Sequence, residues 1–105
     1  MPTTRGNYNS QAAAGTSQAT AATLTADRVM VTTITQGSAE CVILSAGNLG
    51  DKQIICNGST TDNLYVYPQV GGRINNAAVN AYLELPPNRA AQFEGVSSID
   101  VLAFF

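Results

Sequence analysis

Histidine and tryptophan are absent from this 105-residue chain, and charge is thin. Five Lys or Arg stand against seven Asp or Glu, together 11% of the residues, for a net charge of -2. Without histidine the commonest general base and metal ligand is missing. The carboxylates Asp27, Glu40, Asp51, Asp62, Glu84, Glu94 and Asp100 are spaced singly, not in the clusters of oxygen ligands that a hard cation takes. Two cysteines, Cys41 and Cys56, are too few for a structural zinc. Gly47 with Gly50, and Gly71 with Gly72, are not followed by the Lys-Ser/Thr pair that completes a phosphate cradle. Ser45 and Ser59 have no neighbouring base to activate them. We therefore expect no enzyme, no metal site and no cofactor.

Other absences narrow the partners. No basic stripe is present to neutralise phosphates, so nucleic acid is not an expected partner. No run reaches the roughly 20 apolar residues of a membrane span. Met1 to Ser10 is polar and lacks the apolar core of a signal peptide, from which we expect cytosolic synthesis without export. Cys41 and Cys56 lie inside apolar runs, as buried free thiols do, and are expected to remain unbridged. A chain of this length makes one small domain, which buries only roughly 60 to 65% of its unfolded surface, so association is a natural supplement to its core.

What is present divides at about Thr25. Residues 1–25 read as an extended N-terminal arm, because Ala, Thr, Ser, Gln and Gly dominate and large apolar side chains are nearly absent. The alanines of Gln11 to Ala22 permit a helix, but Gly15, Thr16 and Thr20 weaken it and no apolar stripe anchors it. Deleting Met1 to Leu24 is expected to leave a folded domain that attaches less well to its partner.

Residues 26–105 read as short strands separated by turns, the pattern of a small antiparallel β-sandwich or jelly-roll-like barrel. The expected strands are Val29 to Thr35, Glu40 to Leu44, Lys52 to Cys56, Leu64 to Tyr67, Tyr82 to Leu85, Ala90 to Phe93 and Ile99 to Phe105. Gln36-Gly37-Ser38, Ser45 to Asp51, Asn57-Gly58 and Pro86-Pro87-Asn88 supply turns between them. Leu64 to Tyr67 alternates cleanly, with Leu64 and Val66 on one face and Tyr65 and Tyr67 on the other. Pro68 ends that ladder because it has no amide hydrogen. After the Gly71-Gly72 turn, Arg73 is a lone cation and Ile74 a buried plug. In the last segment Ile99, Val101, Ala103 and Phe105 share one face, while Leu102 and Phe104 make the opposite face apolar too. One side is expected to pack in the domain and the other against the arm or another subunit.

These residues carry a resemblance. The Val/Thr strand, Cys41-Val42-Ile43-Leu44 before Gly50-Asp51, Leu64-Tyr65-Val66-Tyr67-Pro68 with Gly71-Gly72-x-Ile74-Asn75, Ala77-Ala78, and Ala91-x-Phe93 together resemble a group of small β proteins of tailed bacteriophages. That group has the pattern V-x-x-Y/W-P-x-x-G-x-x-I-N. Where it often has Gly-x-x-Trp, this chain has Gly95-Val96-Ser97-Ser98-Ile99.

The resemblance implies a virion component made in the host cytoplasm. It most closely implies a capsid decoration or cement protein, on the capsid surface, with the major capsid protein and its own copies, as a homotrimer, for partners. Arg5, Tyr8, Tyr65, Tyr67, Arg73, Tyr82, Leu102, Phe104 and Phe105 are the candidate interface residues. Two alternatives stand beside it. One is a tail, neck or fibre-base assembly protein; the other is a glycan-binding module stacking sugars on Tyr65, Tyr67 and Tyr82.

Overall fold

Side-chain alternation with period two fixes which face of each strand is buried, and pairing between strands distant in sequence fixes the architecture. The computed structural model describes residues 8–24, 26, 28–44, 52–97 and 99–104, with Tyr8 and Asn9 described by their backbone. Arg5, Phe105 and the turn expected at Ser45 to Asp51 lie outside the described residues.

The strands are β1 (Tyr8–Ala12), β2 (Ala22–Thr23), β3 (Arg28–Thr33), β4 (Cys41–Ile43), β5 (Lys52–Asn57), β6 (Leu64–Tyr67), β7 (Arg73–Ile74), β8 (Leu83–Leu85), β9 (Ala90–Gly95) and β10 (Asp100–Phe104). They form two sheets, one ordered β1-β3-β5-β9-β10-β7 and the other β2-β4-β6-β8. The all-β expectation holds, and the expected strands recur with ends shifted by a residue or two.

The antiparallel sandwich or jelly-roll-like barrel does not describe the first half of the chain. β1, β3 and β5 pair in parallel in one sheet, and β2, β4 and β6 pair in parallel in the other. The chain therefore steps from sheet to sheet with each strand and returns one place along, winding three coils of a two-strand β-solenoid. Parallel neighbours need a long crossover, and here the crossover of each pair is the strand in the opposite sheet. The turn at Gln36-Gly37-Ser38 forms, with Gly37 at φ +85° and Thr35 and Ala39 exchanging backbone hydrogen bonds at 2.8 Å across it as an isolated antiparallel bridge, and it lies at the corner where the chain passes from β3 in one sheet to β4 in the other.

Corner backbones extend the ladders. Ala14 N donates to Cys41 O at 2.9 Å, Glu40 N to Gly15 O at 3.0 Å, and Tyr65 N to Glu40 O at 2.9 Å. The second half closes the coil, with β8 antiparallel to β6, β9 antiparallel to β5, β10 antiparallel to β9, and β7 beside β10 in parallel.

The segment expected to be an arm is, over its described residues, the first coil of this body. Leu24 is 1% exposed and Ala13 5%, and both belong to the main core. In place of a helix over Gln11 to Ala22 there are the end of β1, a single 3-10 turn at Gln18–Thr20, and β2. Gln18 Nε2 donates to Pro68 O at 2.8 Å, tying that turn to the end of β6. Few large apolar groups suffice because neighbouring coils supply the rest of the core.

That core lies between the sheets. Val29, Val31, Ile55, Ala91 and Phe93 face inward from one sheet, and Val42, Leu64, Val66 and Leu85 from the other. Ile74 is buried as expected.

Asn57, expected as a turn residue, ends β5 with its side chain buried. Its Nδ2 donates to Asp62 O and Leu85 O, both at 2.9 Å, and its Oδ1 accepts from Ser59 N at 2.9 Å. The Asn- and Ala-rich stretch after β7 is a series of turns. Asn75, Asn76 and Asn80 hold positive φ, a conformation asparagine adopts more readily than most side chains.

Candidate functional site

The outer face of the β2-β4-β6-β8 sheet gathers the residues of most chemical interest. Because Leu64 and Val66 are fully buried, alternation turns Tyr65 and Tyr67 outward. Parallel pairing sets Cys41 beside Tyr65 and Ile43 beside Tyr67. β8 runs antiparallel with Val66 opposite Leu83, a register that brings the preceding residue, Tyr82, against Tyr67.

The three rings meet edge to face. Tyr82 lies 4.8 Å from Tyr65 at an interplanar angle of 80°, and 5.6 Å from Tyr67 at 69°. Each such contact contributes about 0.5 to 1.5 kcal/mol beyond area burial. Tyr82 is 50% exposed, while Tyr65 and Tyr67 are half-buried.

Beside the rings stands Glu40, held by its own corner. Its Oε2 accepts from Gln36 Nε2 and from Gly37 N, both at 2.8 Å, and Gln36 Nε2 also reaches Tyr65 Oη at 3.5 Å. Together Thr16, Glu40, Cys41, Tyr65, Tyr67 and Tyr82 line an open hollow of about 220 Å³.

Its floor includes Cys41, 1% exposed. Burial pushes this thiol up to about 11, with the Glu40 charge adding to the effect. It therefore stays protonated at neutral pH and is a poor nucleophile. Tyr67 is raised from its ordinary value as well, chiefly by burial, then by Cys41, Tyr82 and Glu40. Both shifts record a site that disfavours added negative charge. Cys41 and Cys56 are free thiols, the first buried and the second partly so.

The other predicted contact residues lie elsewhere. On β10, Val101 and Ala103 pack against the core, whereas Leu102 is 39% and Phe104 50% exposed on the opposite face. There Leu102 sits beside Glu94 and Phe104 beside Gln92. Asn75 holds the end of this strand, its Oδ1 accepting from Ala103 N at 2.9 Å. Arg73 is engaged within the chain: its Nε and Nη2 each lie 2.9 Å from Asp100 Oδ1, joining β7 to β10. That pair is partly exposed and contributes at most about 1 kcal/mol. Tyr8 lies in β1, paired with Arg28.

Of the tyrosines singled out in sequence, Tyr65, Tyr67 and Tyr82 come together here, while Tyr8 lies in the other sheet. Glu40 and Thr16 were missed as members, because the corner that delivers them depends on coil stacking. No helix among the described residues is long and apolar enough to cross a membrane. Comparison with known protein families, curated proteins and solved structures finds no match for this chain.

Proposed function

We propose that this chain is a structural protein of a tailed-bacteriophage virion, a capsid decoration or cement protein. In this reading it binds the shell of the major capsid protein as an oligomer, with a trimer as the first expectation, and stabilises that shell by contact without catalysis. The carrying observation is β10, which keeps Val101 and Ala103 inside while leaving Leu102 and Phe104 substantially exposed. The virion attribution rests on the residue pattern from Leu64 to Asn75 and its neighbours.

Full burial of such side chains contributes about 1.5 to 3 kcal/mol each, so covering the exposed portions of two of them gives a useful but reversible contact. Repetition around a symmetric junction multiplies it. A protein that binds only the assembled shell stabilises it by mass action, which suits a domain whose own core is small.

The test is reconstitution. Purified chain is added to particles of the encoding phage that lack it, and bound copies and the heat release of the genome are measured. The wild-type chain is expected to occupy the shell and raise the release temperature, and the Leu102→Asp, Phe104→Asp double variant to stay folded but unbound. Equal occupancy by that folded variant sinks the role of β10. Finding the chain only at the tail or neck, or on no part of the particle, sinks the cement reading.

A further inference from the structure

We propose that the hollow between Glu40 and the three tyrosines receives a single organic cation, the ammonium or guanidinium end of a lysine or arginine carried by a partner protein. This goes beyond a contact role for β10 and stands or falls independently of where in a virion the chain sits.

Three observations carry it. First, all three rings line the hollow, and those of Tyr65 and Tyr67 stand steeply to Tyr82, at 80° and 69°, so the rings do not offer one flat shared surface. A pyranose stacks on one flat ring face, whereas a compact cation is attracted to several faces at once when it lies within about 6 Å of their centroids. Second, the lining residues are neutral or acidic, and Glu40 supplies the carboxylate. Its Oε2 is fixed by Gln36 and Gly37, and among the described residues Oε1 takes no bond, leaving it to answer a cation without reorganising the corner. Third, the volume of about 220 Å³ is below the roughly 300 to 1,000 Å³ of pockets that enclose whole small molecules. It admits the end of one long side chain. Burial is the main cause of the raised thiol of Cys41 and phenol of Tyr67, and Glu40's charge adds a smaller part to each.

The probes are N-acetyl-lysine methylamide, N-acetyl-arginine methylamide, the neutral N-acetyl-norleucine methylamide, and cellobiose. Each is titrated into the full chain while the ring resonances of Tyr65, Tyr67 and Tyr82 are followed by NMR. One of the two cationic amides is expected to give saturable shifts confined to these rings, with the norleucine amide binding at least about fivefold more weakly. Glu40→Gln is expected to weaken the cation by a similar factor, and Tyr82→Ala to abolish the shifts, in variants whose amide spectra show the native fold. If Tyr82→Ala does not fold, the lysine-to-norleucine ratio on the wild-type chain still decides. Equal binding of the norleucine amide, shifts with cellobiose alone, or no saturable shift with either cation overturns the proposal.

Discussion

Leu24→Ala is the most informative single substitution, because Leu24 belongs to a segment whose composition resembles a tail. Its side chain is 1% exposed and part of the main core, and its amide donates to Ile43 O at 3.1 Å from the neighbouring coil. Truncation to alanine removes buried methyl and methylene groups and leaves a cavity between coils, at a cost of about 2 to 5 kcal/mol. Domains of this size are stable by only about 5 to 15 kcal/mol, so the variant loses a large fraction of the total. At roughly 4 to 8 °C per kcal/mol, the midpoint of thermal unfolding is expected to fall by about 10 °C or more. Urea titration and calorimetry on wild type and variant measure this directly, with Val70→Ala, at a site 78% exposed, as the control expected to stay within about 0.5 kcal/mol. A Leu24→Ala protein as stable as the control would refute the docking of the first coil.

Deletion of residues 1–24 follows the same logic on a larger scale. It strips β1 and β2 from β3 and β4, so the truncated chain is expected to lose cooperative unfolding, and a folded remnant by circular dichroism and calorimetry would contradict this. Asn57→Ala leaves the carbonyls of Asp62 and Leu85 without their donor and is expected to cost about 1 to 3 kcal/mol in urea unfolding. Cys41 predicts a loss of stability in alkali. The unfolded thiol gives up its proton above its ordinary 9.0, while the folded one keeps it up to about 11. The stability tied to the retained proton is therefore full below pH 9 and lost between pH 9 and 11, at most about 2 to 3 kcal/mol. Tyr67 adds a loss of the same sign beginning above its ordinary 10.0. Urea midpoints across this range are expected to fall less steeply for Cys41→Ala than for wild type, and identical slopes would remove the assignment.

Local strand character was legible wherever alternation is clean. Leu64 to Tyr67 is the plainest case, its buried and outward faces being those the residues announce. The parallel coil was not legible, because period two states which face of a strand is buried and nothing about which distant strand lies beside it. Gln36 to Ser38 was legible as a turn, but nothing in those residues states that the strands it joins lie in different sheets. The first coil was misjudged because large apolar residues are few in it: Leu24 is its one large side chain in the core, and its burial depends on neighbouring coils that the local sequence does not name. Tyr65 and Tyr67 were readable as companions from their spacing. Their meeting with Tyr82 depends on the β6-β8 register, and that of Glu40 on the corner before β4, neither of which a single strand encodes.

If the proposed cement role holds, a reconstruction of the virion that carries this chain, at a resolution that traces side chains, tests the contact role most directly. It is expected to place copies of this chain on the capsid with Leu102 and Phe104 covered by the shell or by a sister copy. A particle in which those two side chains face solvent, or which contains no copy of the chain, would contradict the account.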